Sequence, residues 1–178
     1  MKKQLKIWLF LIPVVLVASA VNSCTTSQYK TYTLKHNGIT FSFEYPSGYK
    51  KDSSSIQDNP EAPMGVRFAL AAGKDPVFGV NIDSPLAAKI DPKVAANTAG
   101  SHTLEQELER TSITIAGMPG ELVAYSNTDP KIGATITREV FFSVNGVLWN
   151  IFIYSAVAKA DEAKLDFEHI IDTFKVLP

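Results

Sequence analysis

The sequence predicts an α+β domain, an α/β/α sandwich in which an antiparallel sheet lies between helical layers. Three observations carry this. Asn145-Gly146, a dipeptide that favours a type I′ hairpin turn, joins two runs rich in Val, Ile, Phe and Trp. Residues 39–45 (Ile-Thr-Phe-Ser-Phe-Glu-Tyr) alternate apolar and polar with a period of two. Ala163, Phe167, Ile170, Ile171 and Phe174 recur at helical spacing near the C-terminus. Strands in succession, with helices before and after the last hairpin, define the class.

In the first strand Ile39, Phe41, Phe43 and Tyr45 share one face, and Pro46-Ser47-Gly48 ends it. Residues 51–63, rich in Ser, Asp, Asn and Pro, are expected to form an exposed loop. Strands follow at about residues 64–71 and 77–83, separated by Gly73-Lys74-Asp75-Pro76. Asp91-Pro92 is an N-cap followed by proline at the first helical position, where its missing N–H costs nothing, and Gly100 can end that helix. Thr103-Leu104-Glu105-Gln106 has the form of a capping box and predicts a second helix with Leu104 and Leu108 one turn apart. On such a helix Glu105, Glu107 and Glu109 point different ways, a solvated face rather than a cation site.

A two-residue turn at Asn145-Gly146 sets the hairpin register. Val144 then faces Val147, Phe142 faces Trp149, Val140 faces Ile151, Arg138 faces Ile153 and Ile136 faces Ser155. The other face sets Ser143, Phe141, Glu139 and Thr137 against Leu148, Asn150, Phe152 and Tyr154. Both faces carry large apolar groups, so both are expected to be at least partly covered. The final helix covers one. Its stripe contributes about 1.5–3 kcal/mol for each large side chain buried, before conformational entropy is subtracted.

The first 24 residues give an address. Lys2, Lys3 and Lys6 precede an uncharged apolar stretch of 15 residues, Ile7 to Val21. That is the length of a signal-peptide core and short of the ~20 residues that span a bilayer. Val21-Asn22-Ser23-Cys24 resembles the lipobox of bacterial lipoproteins, with an aliphatic residue three before the cysteine. Cys24 is the single cysteine of the chain. It has no intramolecular disulfide partner, and lipidation would account for it. An uncleaved, slightly short membrane anchor is the other reading of the segment. Residues 1–23 are thus expected to be a lipoprotein signal peptide, 24–30 a tether and 31–178 the domain. That domain lies on the outer side of the cytoplasmic membrane or at the outer membrane. Removing residues 1–23 takes three of the 17 basic residues and none of the 18 acidic ones, leaving a formal charge of −4. With no basic stripe, the mature chain does not read as a nucleic-acid binder.

Gly38-Ile39-Thr40-Phe41-Ser42-Phe43-Glu44-Tyr45-Pro46-Ser47-Gly48-Tyr49 resembles the opening of the PsbP-like family, an aromatic strand running into Tyr-Pro and then Gly plus an aromatic. Ile115-Ala116-Gly117-Met118-Pro119-Gly120-Glu121 resembles its central turn between two strands. Tyr154 and the segment Phe167 to Lys175 resemble its last strand and helix. The resemblance implies an α/β/α sandwich around an antiparallel sheet, and roles in binding or assembly rather than catalysis. The family includes a lumenal extrinsic subunit that supports photosystem II, and a Ran-GTPase-binding import factor shares the fold. No motif here matches the plant subunit's docking residues, and fold alone does not transfer function.

Catalytic motifs are not found. His36, His102 and His169 lie far apart in the chain. Asp166, His169 and Asp172 have a spacing that metal sites use, and a solvated helix face produces it too. There is no glycine-rich phosphate loop, HExxH, CxxC or nucleophile elbow. The expectation is therefore a module without catalytic, cofactor or metal residues, whose one modified residue is Cys24 and whose partner is a protein. The alternatives are an envelope enzyme whose residues meet only on folding, and a carrier holding a small apolar ligand among Trp149, Phe141, Phe152 and Tyr154.

Overall fold

In the computed structural model the described residues are 28–36, 38–54, 63–70, 75–84, 86, 89–99 and 106–177. The predicted signal peptide, Cys24 and most of the tether lie outside them. Among them ten strands and two α-helices follow one another as β1 (Tyr29–His36), β2 (Ile39–Pro46), β3 (Lys50–Ser54), β4 (Met64–Ala69), β5 (Val77–Ile82), α1 (Pro92–Thr98), β6 (Gln106–Ile115), β7 (Met118–Asp129), β8 (Gly133–Val144), β9 (Val147–Ala156), α2 (Ala160–Thr173) and β10 (Lys175–Leu177). Strand pairing starts at Tyr29, inside the segment expected to be tether.

Seven strands form a central antiparallel sheet in the order β3-β4-β5-β9-β8-β7-β6. A smaller sheet, β1-β2-β10, packs with α2 against one face. Helix α1 covers part of the other. This is the α+β architecture expected from the sequence, with two antiparallel sheets instead of one.

The hairpin register is as predicted, from Val144↔Val147 out to Ile136↔Ser155. Asn145 and Gly146 carry φ of 52° and 79°, the two left-handed residues that a type I′ turn requires. The β6–β7 turn has the same form, with Ala116 at 48° and Gly117 at 81° between Ile115 and Met118. On one face Val140, Phe142, Trp149, Ile151 and Ile153 are buried with Phe41 and Phe43 of β2 and with Ala163, Phe167, Ile170 and Phe174. On the other, Val123 and Phe141 meet Ala96 of α1. Asp91 caps α1 as expected, its Oδ1 accepting from Lys93 N at 2.7 Å.

Two local expectations are overturned. The loop expected at 51–63 begins instead with strand β3, an edge strand paired with β4 through a bulge between Lys51 and Ser53. Its polar residues suit an edge, where lysines keep a row of free backbone groups from pairing elsewhere. The helix expected from Thr103 is strand β6 from Gln106 onward. Leu108, taken as part of a helical face, is 49% exposed. It is the extra residue of a bulge between Glu107 and Glu109. The β-branched run Thr111 to Ile115 pairs with β7 and buries Ile115, which outweighs one Leu–Leu pair at helical spacing.

Candidate functional site

The structure does not gather the sequence-level site candidates. On α2, Asp166 accepts from the Tyr49 hydroxyl at 2.9 Å, whereas His169 Nε2 lies 3.3 Å from Glu44 Oε2 and Asp172 is exposed. Among the described residues no three His, Cys, Asp or Glu side chains are arranged to hold a metal ion. The four aromatics of the carrier reading do not share one face: Trp149 stands on one, and Phe141, Phe152 and Tyr154 stand on the other. Trp149 is fully buried on the α2 face, against Phe41, Phe142 and Phe174. Phe141 lies on the opposite face, under α1. Phe152 faces Gly79 across the β5–β9 pair, close enough that a Cβ on Gly79 would stand 2.7 Å from its ring.

Among the described residues two surface grooves stand out, and neither is lined by those aromatics. The first, about 440 Å³, lies beside the start of β1 and runs from Gln28 and Tyr29 past Ser47–Tyr49 to Glu162, Leu165 and Asp166. Tyr49 is 1% exposed and sets its ring edge against Phe78 at 5.1 Å, so the phenol plugs the end of the core while its hydroxyl reaches α2. Burial, and then the adjacent Asp166 carboxylate, push the Tyr49 phenol far above its ordinary range. Burial likewise raises the Asp166 carboxyl, against the opposing pull of the Tyr49 hydrogen bond. Tyr29 stacks on His169 with centroids 3.7 Å apart, and Thr173 Oγ1 accepts from Glu44 N at 3.0 Å. These contacts fasten α2 to the smaller sheet. Sequence reasoning named Tyr49 only through the Gly48-Tyr49 motif; its spacing from Asp166 carries no local signal.

The second groove, about 480 Å³, lies where the start of α1 faces the β6–β7 hairpin. Asp91, Pro92 and Lys93 form one side and Ser112, Ile113, Pro119, Gly120 and Glu121 the other. Glu121 is 8% exposed and accepts from Ser112 Oγ at 2.8 Å, while Lys93 Nζ stands 3.8 Å away. A largely buried carboxylate on a sheet face is likewise a feature that a run of residues cannot announce.

A two-layered β-sheet core with α2 and α1 on opposite faces defines the class of fold. The chain has a PsbP-like fold. No protein-family model matches it, and no curated protein does. Among solved structures it is similar to cyanobacterial PsbP (CyanoP) from Synechocystis sp., with TM-score 0.58 and 14% identity, covering 90% of this chain and 99% of that one. LpqN of Mycobacterium tuberculosis, described as involved in cell envelope biogenesis, matches with TM-score 0.50 and 13% identity over 84% of this chain and 92% of its own. A Bacteroides thetaiotaomicron protein matches with TM-score 0.54 and 10% identity over 85% of this chain and 49% of its own.

Proposed function

We propose that this chain is an exported, membrane-tethered, non-catalytic binding or assembly domain that docks on a membrane protein complex through its protein surface. The observation that carries this reading is the end-to-end correspondence with cyanobacterial PsbP, which accounts for 90% of this chain. The envelope role stated for LpqN points the same way. The leader ending at Cys24 supports export and a lipid tether. Asp166 and His169 make their hydrogen bonds to Tyr49 and Glu44, contacts that fasten α2 to the rest of the domain.

The test is site-specific photocrosslinking in the native envelope. A benzophenone amino acid is placed singly at Val94, Thr114 and Leu165, exposed positions on different parts of the surface. The expected result is a discrete protein adduct in the membrane fraction from at least one position. Chain that yields adducts from none of them, or only with itself, would overturn the reading.

A further inference from the structure

Strand β6 is an edge of the central sheet, and among the described residues nothing pairs with its outer side. Its two halves differ. Residues 107–110 carry Glu107, Glu109 and Arg110 and contain the bulge, devices that discourage another chain from adding there. Arg110 is further committed, its guanidinium donating to Glu107, to Asn97 Oδ1 and to Ala96 O. Residues 111–115 have no charge and no bulge.

The two-residue turn fixes which backbone groups are free. Ile115 and Met118 flank it as a hydrogen-bonded pair, so Ile113 and Thr111 also turn their backbone groups towards β7. Ser112 and Thr114 therefore present N–H and C=O outward. Pro119 fits this register, because it faces Thr114 in a pair that exchanges no hydrogen bonds and lies beyond the pairing of β7 with β8.

The groove beside this edge holds an unsaturated carboxylate. A carboxylate has about four lone-pair sites. Among the described residues Glu121 has one close donor, Ser112, and a lysine at 3.8 Å whose side chain is 73% exposed. A strand added outside β6 would place the residue beside Ser112 two strand spacings from Glu121, about 9–10 Å. Lysine and arginine, the longest side chains, suit that distance. Their apolar stems would lie along Pro92 and their charged heads would meet the carboxylate.

We propose that the outer edge of β6 at Ser112–Thr114 receives an extended segment of a protein partner, and that a lysine or arginine of this segment enters the groove against Glu121. This rests on the binding reading above and specifies its surface. Backbone bonds along the edge supply affinity, and the basic side chain supplies selectivity.

A random peptide display library is selected on the full chain in detergent. Enriched peptides are then measured by fluorescence anisotropy against wild type, E121Q, T114P and, as a control in the other groove, E162Q. E121Q keeps an acceptor for Ser112, and T114P removes one outward N–H without touching the β6–β7 ladder; circular dichroism checks the fold of each. We expect enrichment for one Lys or Arg among β-branched residues, with Kd weakened tenfold or more by E121Q and by T114P and unchanged by E162Q. If T114P does not fold, the E121Q result decides. No enrichment, no basic preference, equal binding to E121Q, or edge-to-edge self-association would each overturn the proposal. Photocrosslinks from Val94 or Leu165 but not Thr114 would overturn it while leaving the binding reading intact. Absence of crosslinks from all three would remove the binding reading itself.

Discussion

At the residue scale, two side chains define opposite ways of filling the molecule. Asp166 is a carboxyl that burial holds above its ordinary value near 3.8, and its partner is a phenol raised for the same reason. The sign follows from linkage. An acid whose folded value is raised binds its proton more tightly when folded, so the stability it allows is fully present below about 3.8 and is lost as pH rises through the folded value. Asp166→Asn keeps an acceptor for the Tyr49 hydroxyl and removes the ionisation. Urea melts should show the two proteins close at pH 3, with the variant increasingly the more stable towards pH 7. A wild type more stable than the variant at pH 6 would show that the carboxylate is net stabilising. Gly79 poses the reverse problem, since a Cβ there would stand 2.7 Å from both the Phe152 ring and Val66 O, and the carbonyl cannot yield cheaply. Gly79→Ala should cost about 1–3 kcal/mol, the scale of overpacking, read as a shift of urea midpoint without change in slope. An unshifted midpoint would mean that β4 and β5 separate freely. Neither contact was legible in the sequence. Tyr49 and Asp166 are 117 residues apart, and a glycine within a strand announces close approach without saying to what.

At the element scale, what was legible is what depends on neighbouring residues. The β8–β9 pairing followed from Asn145-Gly146 because two left-handed residues leave only one register. Helix α2 followed from its stripe, and α1 from the Asp91-Pro92 cap. Strand β6 was misread because Thr103 to Gln106 has local cap chemistry, while the pairing that makes a strand comes from β7. Strands β1 and β10 left little local signal for the same reason, since β2 organises both. The candidate groove at Glu121 depends on β6, so misreading that strand hid the site. The hairpin itself is testable. Gly146 has φ of 79°, which a β-branched residue tolerates poorly, and the nearest atoms are the flexible end of Lys89. Gly146→Val should therefore destabilise through the backbone, by about 1–3 kcal/mol. Gly146→Asn, a residue that accepts the left-handed region, should recover most of that loss. Equal losses for both in thermal melts would assign the cost to crowding at Lys89 and not to the turn.

At the scale of the whole molecule, two connections matter: the tether proposed at Cys24 and the joining of the small sheet to the large one. Gln28, the first described residue, stands only four positions after Cys24, a reach of about 14 Å if extended. A lipid on Cys24 would hold the β1 end of the domain close to the bilayer. We expect Cys24→Ser to leave export intact and to move the protein into the soluble fraction, with mass spectrometry of the wild-type N-terminus finding an acylated Cys24. An unmodified cysteine in a chain still beginning at Met1 would sink the lipoprotein reading. The second connection is made through one core. Phe41 and Phe43 of the three-stranded sheet share a buried cluster with Phe78, Phe142 and Trp149 of the seven-stranded one. Phe174 packs on Phe41, Phe142 and Trp149 together, and β10 follows it directly into the small sheet. Opening the small sheet alone would expose several fully buried aromatics, each worth about 1.5–3 kcal/mol of transfer. That is a large share of the roughly 5–15 kcal/mol by which a domain is stable, so no partly open state should accumulate. Trp149 is the one tryptophan outside residues 1–23, which makes its emission a reporter of this junction. In the mature chain, Trp149 fluorescence and far-ultraviolet circular dichroism should follow a single urea transition with coincident midpoints. A fluorescence change that precedes the loss of sheet signal would show that the two sheets are separate cooperative units.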